Sequence, residues 1–190
     1  MSERNLKILT TPLERVDIDF RVQKVFKSKD AVWCTILAYK DARTDMKILD
    51  AAVGQMGWQN RFERDSKGVL QCGIGIFNDL TSGTWIWKWS NGVPSNFESE
   101  KGEYSDAFKR AGFMWGIGRQ LYDFPSIFVQ MNEKDYYVKA DKVYANSRFR
   151  PNDWIWKISP DYGKVTAARK YGSSVKEVFN SNPHKKEDVK

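Results

Sequence analysis

The segment that most constrains the fold is the stretch 102–123, GEYSDAFKRAGFMWGIGRQLYD. At about 100° per residue its apolar residues recur on one side, which predicts a long amphipathic helix. The apolar face holds Tyr104, Ala107, Phe108, Ala111, Trp115, Gly118 and Tyr122. The opposite face holds Lys109, Phe113, Gly116 and Gln120, with Arg110 and Arg119 on its flanks. This mixture of cations, an aromatic ring and a glycine predicts a surface for a flat anionic ligand.

Two glycines fall inside this predicted helix, where each costs about 1 kcal/mol relative to alanine. Gly116 and Gly118 therefore indicate that another backbone or a ligand approaches closely. A tight contact between helix and sheet explains either glycine alone equally well. Because Gly116 and Gly118 lie close to Lys109 and Arg110 in the sequence, we interpret the two glycines as part of a binding site.

Basic and aromatic residues are both abundant in the chain. There are 31 Lys and Arg against 24 Asp and Glu, and aromatic residues make up 14%. Most of the rings belong to the core, but the mixture as a whole favours single-stranded nucleic acid as a partner. Cys34 and Cys72 lie in alternating apolar runs without CxxC spacing, which indicates buried free thiols in a reducing compartment.

The sequence argues against most enzyme classes. The one histidine, His184, lies in the polar C-terminal tail, so triads based on histidine and most metal cages are excluded. No phosphate-binding loop of the form G-x-x-x-x-G-K-[ST] occurs, and we expect no ATP, no other cofactor and no enzyme activity. A metal-dependent nuclease using Asp41, Asp45 and Asp50 is the enzyme alternative, although acidic residues on a helix are usually solvated. No apolar run approaches 18 residues, so we expect a soluble cytoplasmic protein without a membrane segment.

Before the long helix, the periodicity predicts a hairpin, a helix and a meander. The hairpin pairs 20–26 with 31–38 and is basic through Arg21, Lys24, Lys27 and Lys29. The helix, 43–56, has an apolar stripe of Met46, Leu49, Val53 and Met56, with Gly57 as its stop and with Arg43 and Lys47 away from the stripe. Three antiparallel strands follow from Trp58. The third places Trp85, Trp87 and Trp89 on one face, which we expect to pack on the long helix, because exposed indoles require an oligomer to cover them.

The linker before the long helix carries Ser95 and Glu98 at capping-box spacing, and Pro125 ends that helix. The segments SIFVQMN, DYYVKADKVYA and DWIWKISP are predicted to be short strands or extended segments. We expect one or two helical turns at 173–179 and a disordered tail. The expected fold is α+β, with a core over 1–130, an irregular extension over 131–179 and a tail over 180–190.

The order of these motifs resembles the Sak-type phage single-strand annealing proteins of the Rad-fifty-two (Rad52-like) recombination and repair family. The resemblance covers about residues 10–130. Its motifs are DIDFRVQKV at 17–25, LAYKDARTDMKILDAAVG at 37–54, WQNRF at 58–62, CGIGI at 72–76, WIWKWS at 85–90 and SDAFKRAGFMWGIGRQLYD at 105–123. The last is the most specific.

The resemblance implies a ring or helical homo-oligomer that binds single-stranded DNA and anneals complementary strands without ATP in double-strand break repair. It also implies a phage-encoded protein acting in the cytoplasm of a bacterial host, with the host single-strand-binding protein as a candidate partner. The family's phosphate contacts fall on Lys109, Arg110 and Lys47. Where eukaryotic members have a further arginine, this chain has Phe113, and the loop DLTSG lacks the lysine of their outer DNA site.

The predicted nucleic-acid-binding residues are therefore Lys47, Lys109, Arg110, Arg43, Phe113 and Arg119. The predicted oligomer or core contacts are Trp85, Trp87, Trp89, Gly116 and Gly118. Two alternatives stay open beside the nuclease. One is a protein of the same fold that protects single-stranded DNA ends without annealing, and the other is a purely structural ring-forming protein.

Overall fold

A computed structural model describes residues 4–78, 83–92 and 99–181, the side chains of the last range from residue 102 onward. The strands and helices, in chain order, are β1 (Asp19–Ser28), β2 (Ala31–Tyr39), α1 (Ala42–Val53), β3 (Trp58–Arg64), β4 (Leu70–Asn78), β5 (Thr84–Asn91), α2 (Ser99–Trp115), β6 (Ile127–Met131), β7 (Tyr136–Lys139), β8 (Lys142–Ala145), β9 (Ile155–Ile158), β10 (Val165–Tyr171) and β11 (Ser174–Asn180).

The chain divides into two units that interleave in sequence. The first unit comprises the residues up to Leu13 together with Lys40–Arg119, and the second comprises Glu14–Tyr39 and the residues from Gln120 onward. Three sequence predictions concern residues outside the described ranges: the capping box of Ser95 and Glu98, the conformation of the loop at 79–82, and the tail from 182.

In the first unit, β3, β4 and β5 form the predicted antiparallel meander, and α2 packs on it. One face of β4 presents Cys72, Ile74 and Ile76 to the helix residues Ala107 and Phe108 within a single buried cluster. Small residues on α2 let the helix approach these large aliphatic side chains, which gives the unit its core. Cys72 and, in the second unit, Cys34 are buried free thiols, and burial raises the pKa of each to about 12.

The prediction that the three tryptophans pack on the long helix is wrong. Trp89 pairs with Gly73 and Trp87 with Gly75, whereas Lys88 pairs with Ile74 on the helix side of the sheet. The indoles therefore lie on the sheet face opposite α2. The glycines explain this, since a Cβ atom on Gly73 would come within 2.5 Å of the Trp89 ring. The indole rings lie directly on the β4 backbone, which is possible only on the face where Gly73 and Gly75 have no side chains.

The long helix is shorter than predicted and ends at Trp115. Gly116 and Gly118 have φ angles of 101° and 67°, left-handed values that stop an α-helix, and a 3₁₀ turn at Arg119–Asp123 follows. Hence, contrary to the sequence-based prediction, Gly116 and Gln120 do not belong to the helix face that carries Lys109 and Phe113. The close approaches at the two glycines come from the side chains of Thr10 and Lys40, so the contacts they indicated are made within the chain.

Helix α1 also differs from its predicted stripe. It ends before Gly54, which has a φ angle of 76°, rather than at Gly57, and Met46 and Met56 are exposed. Leu49 and Val53 are buried as predicted, and Thr44, Asp45 and Ala52 join them on the buried face. A charged residue takes an inward position here because a partner for its charge is buried beside it.

In the second unit, β1 and β2 form the predicted hairpin, and β6 adds antiparallel to the other edge of β2. The C-terminal part is not irregular, because β7 and β8 form a hairpin and β9, β10 and β11 form a three-stranded sheet. The prediction of helical turns at 173–179 is wrong, since β11 pairs with β10 across a turn at Gly172. Phe20 stacks on Trp156 with their ring centroids 3.6 Å apart. Among the described residues, no helix has the length and hydrophobicity needed to cross a membrane.

Candidate nucleic-acid interface

A buried ion pair lies next to the side of α2 that carries Lys109 and Phe113, which we call the outer face of α2. The side chain of Lys40 is 1% exposed and that of Asp45 is 0% exposed, and the Lys40 ammonium donates a hydrogen bond to Asp45 Oδ1. The same ammonium donates to the main-chain carbonyl of Lys109 at 3.2 Å and lies 4.3 Å from the ring centroid of Phe113. Lys40 thus links α1 to α2 at the two residues that the sequence predicted to bind nucleic acid.

Burial dominates the protonation of both groups. It lowers the pKa of Lys40 despite the nearby carboxylate, and it raises the pKa of Asp45 to about 6 because Lys40 only partly offsets the loss of water. Asp45 Oδ2 is buried and has no hydrogen-bond partner within the described residues. The desolvation of this pair therefore exceeds what its attraction recovers, which is common for buried ion pairs.

The pair fits because glycines occupy two nearby positions, one on α2 and one just after its end. A Cβ atom on Gly112 would overlap Asp45 Oδ1, and one on Gly118 would come within 2.7 Å of the Lys40 Cδ atom. Neither Lys40 nor Gly112 was among the residues predicted from the sequence to form the site. The available signal was the alternation of β2, in which Cys34, Ile36 and Ala38 point inward and Lys40 occupies the next inward position.

On α2, the predicted binding residues lie on the side away from the core. Lys109 and Phe113 are one turn apart and half-buried, while Arg110 is exposed. The Arg110 guanidinium makes an ion pair with Asp106 one turn earlier, at 2.8 Å. A surface pair of this kind contributes little stability, so a phosphate can compete with Asp106 for the arginine.

On α1, Arg43 and Lys47 are exposed and one turn apart. Asp45 is two residues from each of them, which is about 200° around the helix. The contact of α1 with α2 at Asp45 is therefore on the other side of α1 from these two cations. Within one chain, the structure does not gather Lys47 and Arg43 with Lys109 around the buried pair.

Arg119 occupies the C-terminal end of α2. Its guanidinium donates to the carbonyl of Phe113 at 2.8 and 3.2 Å and to that of Met114 at 3.3 Å. The Phe113 carbonyl also accepts from the Gly116 amide at 3.0 Å, and the Met114 carbonyl accepts from the Lys88 ammonium at 3.0 Å. Arg119 adds a positive charge to these bonds at the C-terminal end of the helix. The side chain is exposed, and its hydrogen bonds to the Phe113 carbonyl keep it next to the end of α2.

The other distinctive surface of the first unit is the indole face, formed in order by Phe77, Trp85, Trp87 and Trp89. The centroids of successive rings in this order are 5.4, 6.4 and 5.9 Å apart. The Arg61 guanidinium lies over the Trp87 ring, 4.7 Å from its centroid. The indoles are half-buried by one another and by the glycine floor of β4.

The three carboxylates of the nuclease alternative each contact groups of the protein. Asp41 accepts from the Arg43 amide at the start of α1, Asp45 pairs with Lys40, and Asp50 accepts from Trp58 Nε1 at 2.8 Å. In the ranges that the structure describes, no group of three or more His, Cys, Asp and Glu residues is arranged to hold a metal ion. Their geometry thus gives the nuclease alternative no support.

Comparison with protein families matches residues 2–142 to the Rad52/22 family double-strand break repair protein. The match covers well over half of the chain, and the chain belongs to this family. It is thereby a DNA repair and recombination protein, in a family of annealing proteins rather than classical enzymes. Searches of curated proteins and of solved structures find no match. The Sak-type phage branch within the family stays a prediction.

Proposed function

We propose that this protein binds single-stranded DNA through its phosphates and anneals complementary strands without ATP during phage recombination. The observation that carries the proposal is the outer face of α2, where Lys109 and Phe113 are held by a buried lysine. Family membership supports a role in DNA repair and recombination. The finer assignment rests on the chemistry of this face.

Annealing requires that each strand be held without hiding its base edges. Lys109 and Arg110 supply phosphate contacts, which are indifferent to sequence and weaken as salt concentration rises. Phe113 provides a ring on which a base can stack, a contact worth about 1–3 kcal/mol. Lys40 contacts the main chain at Lys109 and the ring of Phe113, so the backbone that carries Lys109 and the stacking ring are both held in place before DNA arrives.

Arg43 and Lys47 require a second element of the proposal, since they lie on the far side of α1 from Asp45. In a ring or helical oligomer, a strand leaving Lys109 meets cations of α1 along its path across neighbouring subunits. Many weak phosphate contacts then act together, because binding to one subunit raises the effective concentration of DNA at the next.

The indole face supplies a surface for assembly, with a second copy of this chain as its occupant. Stacked tryptophans with an arginine above them are typical of the anchor residues of protein interfaces. We expect Trp87→Ala to shift the protein to smaller species in sedimentation velocity, with Ile86→Ala on the opposite face as the matched control. Unchanged assembly of the Trp87 variant would remove this face from the interface.

The test of function is the pairing rate of two labelled complementary oligonucleotides without nucleotide or Mg²⁺. Wild type should accelerate pairing, and Lys109→Ala should lose most of the acceleration and flatten the salt dependence of binding. Lys67→Ala, which changes an exposed lysine in the turn between β3 and β4, is the control and should behave as wild type. Binding without acceleration by wild type would contradict annealing and favour a protein that protects single-stranded ends.

A further inference from the structure

The outer face of α2 carries a carboxylate among its cations. Successive residues of an α-helix are about 100° apart, which places Asp106 about 60° from Lys109 on one side and about 40° from Arg110 on the other. Phe113, two turns further along, lies within about 20° of the line of Asp106. Asp106 is therefore at the centre of the residues that are proposed to bind DNA.

The other acidic residue among residues 102–115 has a different environment. Glu103 is 7% exposed and accepts from the Arg64 guanidinium of β3 at 3.1 Å, so its charge is directed at the meander. The Asp106 side chain is 32% exposed and lies on the outer face. A phosphate that approaches this face therefore meets a negative charge at its centre.

The two neighbouring cations of the outer face differ in what holds them. Arg110 Nε donates to Asp106 Oδ2 at 2.8 Å, and the arginine side chain is 44% exposed. Lys109 makes no ion pair within the described residues. A phosphate thus contacts Lys109 directly, whereas at Arg110 it meets a carboxylate that is already bound.

The position of the carboxylate makes this a competition. Because Asp106 lies between Lys109 and Arg110, a phosphate that contacts both cations must lie over Asp106, and the two anions repel each other. An exposed ion pair is weak, so the phosphate can displace the carboxylate from the arginine. When the phosphate leaves, the carboxylate takes its place again. The exchange lowers the affinity for DNA and speeds its dissociation.

We propose that Asp106 is a built-in competitor of the DNA phosphate for Arg110 and sets the rate at which a bound strand is released. The inference rests on the proposed function, because annealing requires that strands shift until complementary bases meet and that the duplex then leaves. Without the competitor, a strand would bind more tightly and pair more slowly. In an oligomer the carboxylate recurs in every subunit, which multiplies a small effect along a bound strand.

The direct test compares Asp106→Asn, which removes the charge and keeps the shape, with Asp106→Glu, which keeps the charge and can still pair with Arg110. We expect Asp106→Asn to bind oligo(dT) about two- to fivefold more tightly, mainly through slower dissociation in stopped-flow measurements with a competitor strand. At saturating protein concentration it should also pair two complementary oligonucleotides more slowly than wild type. Asp106→Glu should resemble wild type in affinity, dissociation and pairing. General damage to the fold would not combine tighter binding with slower pairing.

Two further variants isolate the mechanism. Glu14→Gln makes the same change of net charge at an exposed carboxylate of the second unit, and it should leave affinity and pairing unchanged. In an Arg110→Ala background, Asp106→Asn should lose most of its effect, because the competition needs the arginine. If the substitution gains as much affinity there as it does in wild type, Asp106 does not act through Arg110 and the proposal is wrong.

The remaining outcomes separate this proposal from the proposed function. Weaker binding by Asp106→Asn would show that the carboxylate orients Arg110 for the phosphate, and equal or faster pairing despite tighter binding would show that release does not limit annealing; either result overturns the proposal. If Asp106→Asn binds as wild type does while Lys109→Ala is impaired, the competition is wrong and the proposed function stands. If wild type does not accelerate pairing but Asp106→Asn still dissociates more slowly, annealing fails and the competition stands. If neither variant changes binding, both fail.

Discussion

Among the described residues, each of the two units contains an ion pair in which both side chains are largely buried, and the two pairs differ in how completely the carboxylate is bound. In the second unit, Asp135 receives both arms of the Arg169 guanidinium, at 2.8 and 2.9 Å, and the Asn132 amide at 3.0 Å. In the first unit, Asp45 receives the single ammonium of Lys40, and its other oxygen has no partner in the described residues. The planar guanidinium of arginine can donate to both oxygens of a carboxylate, whereas the ammonium of Lys40 donates to only one oxygen of Asp45.

The pKa values of the two carboxylates follow this difference. Burial raises the pKa of both, but at Asp135 the hydrogen bonds from Arg169 and Asn132 outweigh burial, so its pKa lies below the usual value. At Asp45 burial prevails, and the pKa rises to about 6. The number of donors on the carboxylate, rather than the presence of a cation, decides whether burial favours its charged form.

The surroundings of the pairs also differ. The Arg169 guanidinium lies over the buried rings of Phe149 and Trp154 and the exposed ring of Tyr171, at 4.8, 5.3 and 5.1 Å from their centroids. Lys40 lies directly under the proposed DNA-binding face of α2. The carboxylate oxygen without a hydrogen-bond partner is thus found next to the proposed functional face, whereas both carboxylate oxygens accept hydrogen bonds in the pair of the second unit.

The largest effect is expected from removing the cation of the first pair. Lys40→Met leaves Asp45 buried without a counter-charge and should lower the free energy of unfolding by about 3–5 kcal/mol, measured by urea denaturation. Arg169→Met should cost less, because Asp135 keeps the Asn132 amide. If the Arg169 variant were less stable than the Lys40 variant, the conclusion that Asp45 depends more on its cation than Asp135 does would be wrong.

Removing both members of a pair sharpens the distinction. Lys40→Met combined with Asp45→Leu should recover about 2–3 kcal/mol of the loss, because an apolar pair of similar volume has no desolvation cost. Arg169→Met with Asp135→Leu should recover much less, since Asp135 also closes a capping box with Asn132 that leucine cannot form. Equal recovery in the two double variants would show that the donor count does not matter.

The pH dependence of stability should have opposite signs at the two pairs. Between pH 4 and pH 6 folded Asp45 binds more protons than unfolded Asp45, so its contribution falls by about 2–3 kcal/mol as pH rises through this range. Asp135, with a lowered pKa, stabilises the fold above pH 4 and loses this contribution as pH falls further. Asp45→Asn should flatten the first change and Asp135→Asn the second, in urea denaturation at a series of pH values.

Much of the fold could be predicted because it is encoded locally. The hairpin of β1 and β2, the meander and the positions of Lys47 and Lys109 away from the core follow from periodicities of two and 3.6 residues. The pairing of β6 with β2 could not be predicted, since it joins distant segments. The face of the tryptophans was predictable in principle from Gly73 and Gly75 in β4, which mark the flat side of the strand. Lys40 was missed because it is a charged residue in an inward position, which periodicity assigns to apolar side chains.

The smallest effect joins the buried pair to DNA binding. The charge of Asp45 interacts with that of Lys109, so an ionised Asp45 weakens the attraction of Lys109 for a phosphate. Protonation of Asp45 below about pH 6 should therefore raise the affinity for oligo(dT) a few-fold, less than about 1.4 kcal/mol. Asp45→Asn should bind at pH 7 as tightly as wild type does below pH 6 and should lose the pH dependence.

Two variants separate this effect from other titrations. Measurements in a His184→Ala background remove the only histidine, whose ordinary pKa is about 6.5. Asp135→Asn in the same background should keep the full pH dependence, because its carboxylate belongs to the other pair and its pKa lies far below this range. If Asp45→Asn also keeps the pH dependence, DNA binding does not respond to the charge of Asp45. The strand would then not lie on the face of α2 above the buried pair.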